Sequence, residues 1–232
     1  MLTVAILNYN GRDIIEGCVE TVLRQTVPPD EILLIDNSST DDSWKLVEKD
    51  VTRVVHADNR HRFITGLNTA FAESQFGQVF FMENDVFLHP KLFETIPYSR
   101  NTIINPTFLD MHGKPYKAEK EGFFTAAFMM HKEMFEKVGA FDVKLSPAYY
   151  EDVDYAIRAK RKGFKIMQTT GTAIHRANWS FSKVFSKKDM SEMCQRNRVY
   201  VIKKNYRGWE RRWRLAVATC VNIVAKSFNI VR

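Results

Sequence analysis

The feature that most constrains this chain is a repeated pairing: a short run of aliphatic and branched residues that stops abruptly at a polar cluster. Leu2 to Leu7 runs into Asn8-Tyr9-Asn10-Gly11. Glu31-Ile32-Leu33-Leu34-Ile35 runs into Asp36-Asn37-Ser38-Ser39-Thr40-Asp41-Asp42-Ser43, and Val79-Phe80-Phe81-Met82 into Glu83-Asn84-Asp85. Apolar runs this short are expected for strands buried on both faces. After the first, Asp13 precedes an amphipathic pattern through Ile14, Ile15, Cys18, Val19, Val22 and Leu23, closed before Pro28-Pro29. A second helix is expected through Trp44, Leu46 and Val47, and a third strand from Val51 to His56. This alternation predicts an α/β fold, a single Rossmann-like domain whose mostly parallel central sheet is flanked by helices. Such sheets bind ligands at the carboxyl ends of their strands, where these polar clusters fall. No GxGxxG follows the first strand, so the dinucleotide fingerprint is absent.

Further along, a helix is expected from Phe63 to Ser74, carrying Gly66 and Asn68, and strand-like runs at Ile103-Ile104 and Phe123 to Met130. A short helix from Met134 to Val138 stops at Gly139. A longer one from Glu151 to Lys162 stops at Gly163, and a strand follows at Phe164 to Met167. The length, 232 residues, suits one domain with a substantial core, and 45% hydrophobic with 26% charged residues is a globular composition. The formal net charge of +7 favours acidic partners: nucleotide phosphates, an anionic membrane face or nucleic acid. That excess concentrates between Arg196 and Arg232. Cys18, Cys194 and Cys220 have neither zinc nor disulfide spacing, and reduced thiols in a cytoplasmic setting are the plain expectation. The first residues turn polar too soon for a secretory leader, and no run approaches the ~20 apolar residues that span a bilayer.

Three places carry candidate chemistry. Glu83 and Asp85 alternate at a strand end, so both point to one side. Carboxylates there suit Mn²⁺ or Mg²⁺, which can bridge a diphosphate; the plainer alternative is a solvated turn. In Tyr149-Tyr150-Glu151-Asp152-Val153-Asp154, the helix dipole favours acids in the first turn, and Asp154 can pair with Arg158 one turn on. Neither effect accounts for the aromatic pair, beside which a carboxylate would hold a proton more tightly and suit a general base. His175 follows a strand-like run, and a single histidine is more often packed than ligating. Asp36 fits either a helix N-terminal acid or a hydrogen-bond partner for a base or ribose.

Taken in order, these clusters resemble the inverting family-2 glycosyltransferases of GT-A fold, particularly the rhamnosyltransferase-like branch. The residues carrying the resemblance are Asn8-Tyr9-Asn10-Gly11, Ile35 to Ser43, Phe63-x-x-Gly66-x-Asn68 and Glu83-Asn84-Asp85-Val86-x-Leu88-x-Pro90. Val138-Gly139-Ala140-Phe141-Asp142, Glu151-Asp152-Val153-Asp154 and His175 complete the set, which covers about residues 3 to 205. The resemblance implies a nucleoside-diphosphate sugar donor (UDP, dTDP or GDP form), a glycan or lipid-linked hydroxyl acceptor, and Mn²⁺ or Mg²⁺. It implies that Asp36, with Asn8 and Asn10, receives the nucleotide, and that Asn68, Glu83 and Asn84 belong to the same donor site. Asp85 and His175 would hold the metal, Asp152 would act as the catalytic base, and Glu151 would shape the acceptor site. Two positions depart from the pattern: Glu83 stands where relatives carry Asp or Asn, and Arg62 precedes Phe63, with Asn59 out of register.

Residues 1–205 are thus expected to form the catalytic domain and 206–232 a basic amphipathic helical tail. Trp209, Trp213, Ala216, Val217, Cys220, Val221, Val224 and Phe228 recur at helical spacing, with Arg211, Arg214, Asn222 and Lys226 off that stripe. The tail could lie on an anionic membrane at the inner face or pack on its own domain. Three competing functions share parts of the pattern. A sugar-nucleotide pyrophosphorylase would need a Gly-rich N-terminal phosphate loop that is missing. A catalytically inactive nucleotide-sugar binding module would have no use for Asp85, Asp152 and His175 together. Glycosylation of modified DNA bases rests on the basic charge alone.

Overall fold

A computed structural model of the chain describes residues 1–58, 62–116, 122–176 and 184–227, with the backbone alone for residues 62 and 219–227. The elements follow as β1 (Leu2–Asn8), α1 (Ile15–Leu23), β2 (Glu31–Asp36), β3 (Arg53–His56), α2 (Arg62–Glu73), β4 (Gln78–Glu83) and β5 (Val86–Leu88). Then come β6 (Thr102–Leu109), β7 (Ala127–His131), α3 (Lys132–Val138), α4 (Glu151–Arg161), β8 (Lys165–His175), α5 (Lys187–Asn205) and α6 (Gly208–Ser227). Asn59 and Phe228 lie outside the described residues, as do the side chains of Arg62, Cys220, Val221, Asn222, Val224 and Lys226.

The described strands form one sheet in the order β3-β2-β1-β4-β7-β6-β8-β5. β1 pairs in parallel with β2 and β4, and β2 with β3. β7 runs antiparallel between β4 and β6, β8 is parallel to β6, and β5 closes the far edge antiparallel to β8. Both faces are covered, which explains the unbroken apolar runs. Along β1, Val4 and Ile6 join Ile15, Cys18, Val19 and Val22 of α1 in one core. Ala5 and Leu7 point the other way, joining Ile64, Leu67 and Phe71 of α2 and Tyr155 of α4 in the second.

The order contains a constraint of its own. Only Asn84 and Asp85 separate β4 from β5, yet β7, β6 and β8 stand between those strands in the sheet. Three residue steps span at most about 10–11 Å, whereas neighbouring strands lie about 4.8 Å apart. The half of the sheet beyond β4 therefore curls back, bringing β5 and β8 over the end of β4.

Three expectations change in the structure. The second helix is only a 3₁₀ turn, Ser43–Leu46, because Ser43 is anchored to the β1 loop: its Oγ accepts hydrogen bonds from Asn8 Nδ2 at 2.8 Å and from the Gly11 amide at 3.3 Å. The strand expected to end at Met167 continues to His175, paired with β6 through a register shift between Asn105 and Thr107. No helix is expected from the sequence between His175 and residue 206, whereas α5 occupies Lys187–Asn205 behind a Ser186–Asp189 capping box. The apolar spacing that marks other helices is weak there, since its buried positions include Asn197 and Asn205.

Candidate active site at the carboxyl edge of the sheet

The parallel register sets Asn8 beside Asp36, and Asp36 beside His56, at the carboxyl ends of β1, β2 and β3. Asn8 is fully buried. Its Nδ2 donates to Asp36 Oδ1 at 3.3 Å and to the Ser39 and Ser43 hydroxyls, while its Oδ1 accepts from Asn84 Nδ2 at 2.8 Å. Such a buried network is rigid when satisfied and costly to break. The second oxygen of Asp36 accepts from the Ser39 amide at 3.2 Å and meets His56 Nδ1 at 3.3 Å. The edge of Trp44 stands against the His56 ring, with centroids 4.9 Å apart. Asn10, in the left-handed region at φ 48°, accepts from the Thr40 amide at 2.8 Å and ties the β1 loop to the β2 loop. Gly11 has no room for a side chain: a Cβ there would sit 2.3 Å from Asn84 Nδ2 and 2.4 Å from Asn8 Oδ1.

On the other side of β4, the curl of the sheet brings Asp85 to His175. The β5–β8 ladder pairs Val86 with His175, and the Arg176 amide donates to the Asp85 carbonyl at 2.9 Å. As a result His175 Nε2 lies 3.5 Å from Asp85 Oδ1. That oxygen is buried and accepts no hydrogen bond among the described residues. The imidazole is held by Phe108 and Tyr116, and the Tyr116 hydroxyl donates to the His175 carbonyl at 3.1 Å. A buried carboxylate oxygen without a donor, facing an imidazole nitrogen, is a donor set suited to Mn²⁺ or Mg²⁺. Among the described residues no group of three such side chains could hold an ion unaided. Asp85 and His175 would supply two protein ligands at most, leaving the rest of an ion's coordination to substrate phosphates and water.

Glu83 joins this pair to the first turn of α4. Burial, followed by the negative charges of Asp85 and Glu151, pushes the Glu83 carboxyl well above the ordinary range. Glu151 is also pushed up by burial; its Oε1 accepts from the Thr125 hydroxyl at 2.9 Å, and its Oε2 is buried with no hydrogen-bond partner among the described residues. Asp152, one residue on, is half-buried, and a Cβ on Gly122 would lie 2.8 Å from its Oδ2. The phenol of Tyr149 is raised by burial and by the nearby Cys194, Glu151 and Glu83. Burial, with Glu151 and Asp152 adding to it, pushes the Cys194 thiol up to about 11.

Asn105, Thr125 and Asn197 help to build this site and carried no recognisable signal. Tyr149 and Tyr150 both adopt positive φ, 75° and 70°, which is strained for bulky side chains. What holds them is Asn197 of α5, whose Nδ2 donates to the carbonyls of Leu145, Ala148 and Tyr149 at 2.7, 2.9 and 2.9 Å. Asn105 of β6 does the same for the loop carrying Thr125, donating to the carbonyls of Phe124 and Ala127. Two polar residues prove to be structural. Both ends of the Asn68 amide bond the backbone of Phe141, at 3.0 and 2.8 Å, so it clips α2 to the loop after α3 rather than facing a ligand. Asp154 is fully buried and saturated by Arg158, Lys204 and Asn205.

Residues 3–97 match the model of the family described as Glycosyl transferase family 2. Among solved structures, GalNAc-T7 with UDP, GalNAc and Mn²⁺ superposes with a TM-score of 0.68 at 15% identity, covering 88% of this chain and 48% of that one. The mannosyltransferase PcManGT from Pyrobaculum calidifontis, in complex with GDP-Man and Mn²⁺, gives 0.65 at 14% identity over 97% of this chain and 75% of that one. The fold is that of the GT-A glycosyltransferases. Sequence relatives are shorter matches. The Escherichia coli UDP-Glc:alpha-D-GlcNAc-diphosphoundecaprenol beta-1,3-glucosyltransferase WfaP is 41% identical over 49 residues, 21% of this chain and 20% of that protein. Glycosyltransferase GlyG of Streptococcus pneumoniae serotype 4 is 25% identical over 101 residues, 41% of this chain and 34% of that protein. The matches thus span between 20% and 34% of the length of these curated relatives.

Proposed function

We propose that this chain is an inverting, family-2 glycosyltransferase that moves a sugar from a nucleoside-diphosphate donor to a hydroxyl of a glycan or lipid-linked acceptor. In this reading residues 1–205 are the catalytic unit and 206–232 a basic appendage. Asp36, buttressed by Asn8 and flanked by Asn10 and His56, receives the nucleoside. Asp85 and His175 would hold a divalent ion, which when bound neutralises negative charge on the leaving diphosphate. Asp152 is the general base: it takes the proton of the acceptor hydroxyl as that oxygen attacks the anomeric carbon opposite the leaving group. Displacement from that side inverts the anomeric configuration. Glu151, held by Thr125, and Tyr149 wall the acceptor side.

The observation that carries the reading is the position of Glu83. Its amide donates to the Ala126 carbonyl at 2.9 Å, next to the Thr125 that holds Glu151, while Asp85 follows two residues on, and this nearness supports a shared rim for the proposed donor and acceptor groups. The family match over residues 3–97 supports nucleotide-sugar chemistry independently. The test is a panel of nucleoside-diphosphate sugars with and without Mn²⁺, read by thermal stabilisation and by slow donor hydrolysis. One donor that stabilises the protein in an Mn²⁺-dependent manner is the expected result; indifference to the whole panel would reject the proposal. NMR of the product anomer then decides between inversion and retention.

A further inference from the structure

The last described helix, α6, has two contrasting faces. On one face Arg214 stacks over the ring of Tyr206, just past α5, at 4.0 Å and pairs with Glu210 at 3.2 Å, and Ala218 is buried. A second face, about 100° round the helix, turns outward. Trp209 is 79% exposed, Trp213 59% and Val217 36%, at i, i+4 and i+8. The spacing sets them in one line about 12 Å long, parallel to the helix axis. Of the alternatives open in the sequence, packing of this tryptophan stripe on the chain's own domain is therefore not what the described residues show.

The surroundings of the stripe select its occupant. Arg207 and Arg212 are exposed beside the two tryptophans, with Arg211 exposed further round the helix and Lys203 at the end of α5. Glu210 is the single acid between Lys203 and Val217, and Arg214 already neutralises it. A second copy of so basic a face would be repelled, whereas an anionic surface would be attracted. Exposed tryptophans bordered by arginines match the interface of a bilayer, where indole rings lie at headgroup level and cations meet lipid phosphates. A nucleic acid would pair with the arginines and could stack bases on the indoles, but it offers no apolar partner to Val217 in the same line. No described helix is long and apolar enough to cross a membrane, so contact of this kind lies along the surface. We propose that the outward face of α6 is a docking surface for an anionic lipid bilayer. This stands on α6 alone and holds whether or not the chain transfers a sugar.

The experiment is co-sedimentation of the full chain with vesicles of phosphatidylglycerol and phosphatidylcholine, against vesicles of phosphatidylcholine alone. The anionic vesicles should pellet the protein, with a blue shift of tryptophan emission, and the binding should weaken as salt is raised. The double variant Trp209→Ala, Trp213→Ala should bind about ten-fold more weakly. The pair Arg207→Glu, Arg212→Glu should lose at least as much. Unchanged melting temperatures of both variants would show that the fold is intact. No sedimentation with anionic vesicles, or binding unaffected by loss of the tryptophans, would overturn the proposal. So would self-association that the tryptophan variant abolishes without vesicle binding, or retention on DNA in place of vesicles.

Discussion

Asn84 donates a 2.8 Å hydrogen bond from its side-chain amide to Oδ1 of Asn8, fastening the end of β4 to the end of β1 inside the protein. Asn8 uses its other end for Asp36, Ser39 and Ser43, so four polar groups depend on one side chain. Asn8→Ala should therefore cost about 2–3 kcal/mol, more than one ordinary hydrogen bond, because it leaves buried donors and acceptors unpaired. Urea denaturation of the two proteins measures this. A loss below ~0.5 kcal/mol would mean that water replaces Asn8 freely.

Asp152→Asn keeps the size of the side chain and removes its ability to take a proton. Turnover should fall by about 10²–10⁴-fold while donor affinity stays within a few-fold. Steady-state rates together with calorimetric titration of the donor separate the two effects, and near-normal turnover would remove Asp152 from the role.

Asp85→Ala and His175→Ala should each weaken nucleoside-diphosphate binding in Mn²⁺ by about ten-fold or more, and much less in its absence. Titrating UDP and GDP with and without the metal tests this without relying on turnover. Equal losses under both conditions would indicate a role in packing rather than ligation.

How far the sequence could be read divides along physical lines. The strands and their polar ends were legible because burial on both faces writes an unbroken apolar run, as in Val79 to Met82. The grouping of Asn8 with Asp36 followed from parallel register. Asp85 and His175 could be joined only through the resemblance, since their contact depends on the curl of the sheet, which no local pattern encodes. Asn105, Thr125 and Asn197 escaped notice because each acts through backbone carbonyls or one buried carboxyl, and isolated polar residues of that kind look like any surface residue. Asn68 shows the converse. A conspicuous position in a motif spoke for the ligand, whereas its amide is spent on the backbone of Phe141.

Glu151 provides a pH test. Its carboxyl is raised by burial, so between the ordinary carboxylate range and that raised value the unfolded chain has lost a proton that the folded one still holds. Its contribution to stability is complete at low pH and declines as pH rises through the interval. Glu151→Gln removes this penalty. The variant should gain on the wild type as pH is raised from 4 to 8, by about 2–4 °C in Tm for each kcal/mol relieved. A Tm difference that does not change with pH would contradict the assignment.

Asn197→Ala frees the carbonyls of Leu145, Ala148 and Tyr149 together. Stability should drop by about 1–3 kcal/mol. Turnover should fall further than donor binding, because in the proposed function the strained Tyr149-Tyr150 pair would lie on the acceptor side. Proteolysis confined to this loop, with kcat and donor affinity measured separately, would follow both effects.

The two-residue passage from β4 to β5 leaves the chain no slack. Asn84 is fixed to β1 and Asp85 to β8 through the Arg176 amide, so both ends of that passage are clamped. Lengthening it by even one residue would rotate the Asp85 carboxyl off His175 while every helix and strand could still form. Loop insertions elsewhere on this scaffold can be absorbed as surface decoration; here a single added amino acid would yield a well-folded protein with a broken centre.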